Sequence, residues 1–180
     1  MADRILVVDD DPDHLRVVTA ILEESGFEVE RAEDAEQALS RVHGFQPSLV
    51  LTDLRLPGMN GVELLERIQE SMEGVEVIVM TGHEDMTSAI GAMRAGAFDY
   101  VVKPMEVSTL QNLVDRCLRE RALNIKAAGS GPSISGGEDD KGVVIGRDPR
   151  LIEIFKMIGV LARNRATVLV RGETGTGKEL

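Results

Sequence analysis

A chain of 180 residues with 43% hydrophobic and 28% charged side chains has room for one domain with a buried core and falls short of two complete ones. Aromatic side chains make up 3% and Trp is absent, so the core must be aliphatic. The net charge of −11 is uneven: residues 1–140 hold 27 acidic against 12 basic side chains and residues 141–180 hold 4 against 8, which indicates two units of different character, makes the first a poor nucleic-acid binder and leaves the second too weakly basic to establish DNA contact.

Ile5-Leu6-Val7-Val8 is an all-apolar run, as expected of a strand covered on both faces. Asp11-Pro12 then opens a helix with the apolar face Leu15, Val18, Ile21 and Leu22, stopped by Gly26. Phe27 to Glu30 alternates like a short strand, and Asp34 with Gln37 resembles a capping box for a helix running towards Gly44. Ser48 to Thr52 is a third strand, and Asn60 with Glu63 caps a helix bearing Val62, Leu64, Leu65 and Ile68. Val75 to Met80 is a fourth strand, residues 85–95 a helix rich in Ala and Met, and Phe98 to Val102 a fifth strand. A last helix over about 106–124 carries Leu110, Leu113, Val114, Cys117 and Leu118 on one stripe, which makes the single cysteine a packed thiol and excludes an intramolecular disulfide. Five βα units predict an α/β fold with a parallel sheet and helices on both faces. No signal peptide or bilayer-length apolar run is evident, so the expected location is the cytoplasm and no membrane partner is expected.

In such sheets ligands bind beyond the carboxyl ends of the strands. Asp9-Asp10, Asp53, Thr81 and Lys103 all fall there, after the first, third, fourth and fifth strands. Clustered carboxylates need a cation, and these hard oxygen donors suit Mg2+. With the cation bound, Asp53 can attack phosphorus as a carboxylate nucleophile while Lys103 and the Thr81 hydroxyl stabilise the equatorial oxygens. Taken singly, each residue reads equally as a cap, a turn former or a surface charge. His14, His43 and His83 lack metal-ligand spacing and read as structural or surface residues.

Ile-Leu-Val-Val-Asp-Asp at 5–10, Asp53 followed by Leu-Pro-Gly-Met-Asn-Gly at 56–61, Met-Thr-Gly at 80–82 and Lys-Pro at 103–104 resemble a two-component response-regulator receiver domain, over residues 1–124. The resemblance implies a flavodoxin-like, doubly wound five-stranded sheet of order 2-1-3-4-5. It implies Asp53 as phosphoacceptor from a sensor histidine kinase, and Mg2+ held by Asp10, Asp53 and the Arg55 carbonyl with Asp9 completing the acidic pair. Thr81 and Tyr100 are implied as a switch pair, with Thr81 moving toward the phosphoryl group and Tyr100 turning inward, and Lys103-Pro104 as a cis peptide.

Residues 125–142 read as a flexible polar linker. From about 143 order is expected to resume, with a helix after Asp148-Pro149 and a sixth strand at Thr167 to Val170. That strand runs into Gly172-Glu173-Thr174-Gly175-Thr176-Gly177-Lys178, whose glycines suit a phosphate-cradling loop. Glu179 stands where a Ser or Thr metal ligand is usual. Gly-Glu-Thr-Gly-Thr-Gly-Lys-Glu, with Val-Ile-Gly-Arg-Asp at 144–148, resembles the start of the AAA+ domain of sigma-54-dependent activators, over residues 143–180. A receiver joined to such a domain is similar to an NtrC-type response regulator. That implies ATP as a ligand of the parent family, a phosphorylation-linked homodimer, and sigma-54 RNA polymerase and DNA as partners of a full-length parent. The 180 residues hold no Walker B acid, sensor residue, arginine finger, sigma-contacting loop or helix-turn-helix, so no ATP hydrolysis is expected of them. Two other readings stand beside this one: a receiver acting alone as a phosphate sink or docking module, and a P-loop NTPase with an acidic regulatory domain. Arg116, Arg119, Glu120 and Arg121 read either as part of a dimerising helix or as a plain solvated face.

Overall fold

The apolar runs form five parallel strands, β1 (Arg4–Val8), β2 (Glu28–Ala32), β3 (Leu49–Asp53), β4 (Glu76–Gly82) and β5 (Asp99–Lys103). Between and after them lie α1 (Pro12–Glu24), α2 (Ala35–Phe45), α3 (Gly61–Ser71), α4 (Met86–Ala95) and α5 (Val107–Ala128). The computed structural model describes residues 3–82 and 86–128, with the backbone alone at 86–90 and 126–128. The expected elements at 143–180, the loop at Gly172–Glu179 and His83 lie outside the described residues.

The sheet order is β2-β1-β3-β4-β5, all parallel. Strand alternation sends Ile5, Val7, Leu49, Leu51, Ile78, Met80 and Val101 into one core with Leu15, Val18 and Leu22 of α1 and Leu110, Leu113, Val114 and Cys117 of α5. Leu6, Val8, Val50, Val77 and Val79, equally buried, point to the other face, where α2, α3 and α4 pack in succession. Both faces are covered, which is why the strands read as unbroken apolar runs. The order reverses between β1 and β3, so a crevice opens at their carboxyl ends.

Local chemistry sets the helix starts. Asp11 caps α1, its side chain accepting from the N–H groups of Asp13 and His14, and Pro12 stands at the first turn. Asp34 accepts from the Gln37 N–H, but the Gln37 side chain turns to the Asp34 carboxylate instead of the cap backbone, so this is a single cap and no reciprocal box. Asn60 and Glu63 do form the reciprocal box on α3. Replacing Asn60 with alanine is therefore expected to cost about 1 kcal/mol in urea denaturation, with the fold unchanged.

Two boundaries differ from the sequence reading. Helix α2 passes through Gly44 to Phe45 and is capped by Gln46, which takes the left-handed conformation at φ 51°. Burial of Phe45 draws the last turn onto the core before Pro47 stops it. Helix α5 runs on to Ala128, into the stretch expected as linker, through the helix formers Lys126, Ala127 and Ala128. Arg116 and Arg121 are no plain solvated face: Arg116 pairs with buried Asp99 and lies over the Phe98 ring, and Arg121 donates to the Gly74 carbonyl at 2.6 Å.

Candidate functional site

The sheet register assembles the site. Val8 pairs with Thr52, so the next residues, Asp9 and Asp53, are neighbours across β1 and β3. Asp53 pairs with Met80, which puts Thr81 one step further on β4, and Thr81 pairs with Val102, which puts Lys103 one step further on β5. Four residues scattered over the chain thus meet at one sheet edge, about 5 Å apart per strand.

The Lys103 ammonium donates to Asp9 Oδ2 at 2.7 Å and also to Asp53 Oδ2. It bridges the two carboxylates and offsets their repulsion. The carboxylate oxygens of Asp9, Asp10 and Asp53 lie within 4.8 Å of one another, with Asp9 buried, Asp53 half-buried and Asp10 exposed. Three hard oxygen donors graded from buried to open suit a divalent cation that keeps several waters, as Mg2+ does.

Burial alone would push the Asp9 carboxyl up, but the hydrogen bonds from His14 and Lys103, the Lys103 charge and the Asp11 N–H outweigh it and hold Asp9 below its ordinary range. For Lys103 burial pulls the other way, and hydrogen bonds and attraction from Asp53 and Asp9 outweigh it, raising the ammonium above its ordinary value. Both groups are thus held charged at neutral pH.

Asp53 is further fixed by the backbone. The Arg55 N–H donates to its Oδ1 at 2.7 Å, an Asx turn that aims the other oxygen into the crevice. Its carbonyl accepts from the Thr52 hydroxyl at 3.0 Å. Helix α3 begins hard against it: the Gly61 N–H donates to the Leu54 carbonyl at 3.0 Å, and a Cβ on Gly61 would stand 2.2 Å from the Asp53 carbonyl oxygen.

Thr81 is fully buried, its hydroxyl donating to the Gly82 carbonyl at 3.2 Å. Tyr100 pairs with Val79, two residues before Thr81, so Thr81 and Tyr100 share the α4 side of the sheet. Tyr100 is buried, 3% exposed. The Lys103-Pro104 peptide is cis.

His43 is exposed at the end of α2 and Cys117 is fully buried, its thiol pushed up by burial and by Glu76 and Glu120. Histidine 14 takes a structural role, at a place that the sequence reading did not specify. Its Nδ1 lies 2.5 Å from Asp9 Oδ2, at the edge of the acidic cluster. Its spacing carries no ligand signature; the signal is the Asp11 cap, which starts α1 so early that position 14 falls in the first turn, beside the end of β1.

The chain matches the response regulator receiver domain over residues 5–115 and the sigma-54 interaction domain over residues 144–180. It is 34% identical over 181 residues to the DNA-binding transcriptional regulator NtrC of Salmonella typhimurium, covering 98% of this chain and 36% of that protein. It is likewise 34% identical over 177 residues to the C4-dicarboxylate transport transcriptional regulatory protein DctD of Pseudomonas aeruginosa, covering 98% of this chain and 38% of that protein. The chain thus spans little more than a third of these relatives. Among solved structures, the receiver domain of NtrX from Brucella abortus superimposes with a TM-score of 0.62 at 35% identity, over 64% of this chain and 98% of that one. A longer NtrX structure in complex with ATP gives a TM-score of 0.70 at 32% identity, over 77% of this chain and 32% of that one. A five-stranded sheet of order 2-1-3-4-5, an acidic cluster at its carboxyl edge and these two successive matches place the chain in the response-regulator family, as a receiver joined to the start of a sigma-54 interaction domain in the NtrC-like arrangement.

Proposed function

We propose that Asp53 is the phosphoacceptor, taking a phosphoryl group from the phosphohistidine of a sensor kinase. The observation that carries this reading is its placement: a half-buried carboxylate ending the central strand, beside two further acids and under the Lys103 ammonium. An Asp53 oxygen forms the new O–P bond as the N–P bond to the donor imidazole breaks. The Asx turn from Arg55 presents that oxygen, and Lys103 and the Thr81 hydroxyl take up charge on the transferred group. Asp9, Asp10, Asp53 and the Arg55 carbonyl would hold Mg2+, which when bound offsets the repulsion between Asp53 and an incoming phosphate.

Phosphorylation then draws the Thr81 hydroxyl toward the phosphoryl group on Asp53 and favours the buried position of Tyr100. The readout in the full-length protein is control of a sigma-54-dependent activator through receiver pairing. Leu123 and Ile125 lie more than half exposed near the end of α5 and favour pairing of that helix with a second copy. The loop Gly172–Glu179 at the start of the second domain, taken as residues 143–180 after a linker, would cradle ATP phosphates in that protein. Sigma-54 RNA polymerase and DNA are its partners there, and the cytoplasm its place. Among the described residues no helix is long and apolar enough to cross a membrane.

Incubation with Mg2+ and a small phosphoramidate donor tests the pocket. The expected result is an intact-mass gain of one phosphoryl group that is labile to hydroxylamine and lost when Mg2+ is chelated. A gain that persists at the same rate under chelation would overturn the metal-dependent pocket.

A further inference from the structure

We infer that His14 is a positioning residue of the metal site, acting through Asp9; this rests on the reading of Asp9, Asp10 and Asp53 as Mg2+ ligands. Asp9 is fully buried, and its oxygens serve three donors: the Asp11 N–H on Oδ1 at 3.0 Å, and Lys103 Nζ at 2.7 Å and His14 Nδ1 at 2.5 Å, both on Oδ2. A carboxylate that accepts from an ammonium is acceptor-only, so Nδ1 must carry the proton.

His14 does not itself join the ligand set. The oxygens that converge within 4.8 Å belong to Asp9, Asp10 and Asp53. The imidazole instead fixes the rotamer of the buried member of the set from α1, while Lys103 reaches it from the end of β5 along the same carboxyl edge. Its own position is set by the Asp11 cap, which accepts the His14 N–H at 3.2 Å. Lys103 is shared between Asp9 and Asp53, and Asp53 changes charge when it carries a phosphoryl group. His14 has no such second carboxylate among the contacts described, so it holds Asp9 in both states. Outer partners of this kind change metal affinity without touching the metal.

Calorimetric titration of the whole chain with Mg2+ tests this, on wild type, His14→Leu, His14→Ala, His14→Asn and Asp10→Asn, with melting temperatures taken alongside. His14→Leu and His14→Ala remove the donor and are expected to weaken Mg2+ binding by about tenfold or more. His14→Asn keeps an N–H at the Nδ1 position and is expected to restore most of that loss. Phosphorylation rates of the donorless variants should recover at saturating Mg2+, a change in metal requirement and not in the maximal rate. Unchanged Mg2+ affinity in the donorless variants, or a loss in His14→Asn as large as theirs, would overturn the inference. Two donorless variants guard against one that fails to fold. The two readings fail differently: if Asp10→Asn binds Mg2+ as wild type does, the metal reading itself falls and this inference with it. If Asp10→Asn loses binding and His14→Leu keeps it, only the role of His14 falls.

Discussion

Gly61→Ala is expected to destabilise the receiver by about 1–3 kcal/mol and to slow phosphorylation of Asp53 tenfold or more, a methyl group acting at a distance from the chemistry. The new Cβ would meet the Asp53 carbonyl oxygen at 2.2 Å, Leu54 Cα at 3.0 Å and the Asp53 carbonyl carbon at 3.1 Å. All three are backbone atoms, so no side chain can swing aside. Helix α3 is stitched to this point by the Gly61 N–H on the Leu54 carbonyl and by the Asn60–Glu63 box, so relief must move either the helix start or Asp53. Alanine favours a helix over glycine by about 1 kcal/mol, the opposite sign, but that gain is smaller than the overlap it must offset. A shift of even 1 Å in a reacting carboxylate is enough to slow transfer strongly. Urea denaturation with a phosphorylation time course checks both effects; a variant as stable and as fast as wild type would show that Gly61 does not position Asp53.

Lys103→Met is expected to reduce phosphorylation by about 100-fold and, without Mg2+, to cost roughly 2–4 kcal/mol at neutral pH. The substitution keeps most of the apolar stem of the side chain and removes the cation that bridges Asp9 and Asp53, leaving a buried carboxylate facing a second one. The pH dependence follows from the two shifts. Asp9 is lowered from 3.8, so its contribution is complete above that value and lost as pH falls through the lower folded one. Lys103 is raised from 10.5, so its contribution is complete below that value and lost as pH climbs through the higher folded one. The bridge therefore stabilises the domain throughout the neutral range. In the variant Asp9 loses its nearest positive charge and takes up a proton more readily, so the gap between variant and wild type should narrow on acidification. Mg2+ should narrow it too, by supplying another positive charge to the same carboxylates. Denaturation midpoints across pH, with and without Mg2+, report this; a gap that ignores both would place the Lys103 effect elsewhere.

Much of this was legible from the residues. Ile5 to Val8 and Leu49 to Leu51 read as strands because both their faces are buried, and the βα alternation gives a parallel sheet. The convergence of Asp9, Asp53, Thr81 and Lys103 follows from each standing at the end of such a run. The order in which strands pair did not come from periodicity; it came with the family resemblance, because alternation constrains the hand of crossovers and not which strand lies at the edge. Helix ends were less legible. Gly44 looks like a stop, yet burial of Phe45 carries α2 past it. Contacts across elements were least legible: His14 on Asp9, Arg116 on Asp99 and Arg121 on Gly74 depend on how helices roll on the sheet, which sequence spacing does not report. The tight seat of Gly61 depends likewise on the approach of α3 to β3.

The central claim is that phosphate enters this chain at Asp53. Borohydride reduction of the phosphorylated protein, followed by peptide mapping, tests it most directly, because an aspartyl phosphate is trapped as homoserine at the residue that carried it. The predicted result is homoserine at position 53, absent from Asp53→Asn and from samples prepared without Mg2+. Homoserine at Asp9 or Asp10 in the wild type, or a phosphoryl group that survives Asp53→Asn unchanged, would contradict the account.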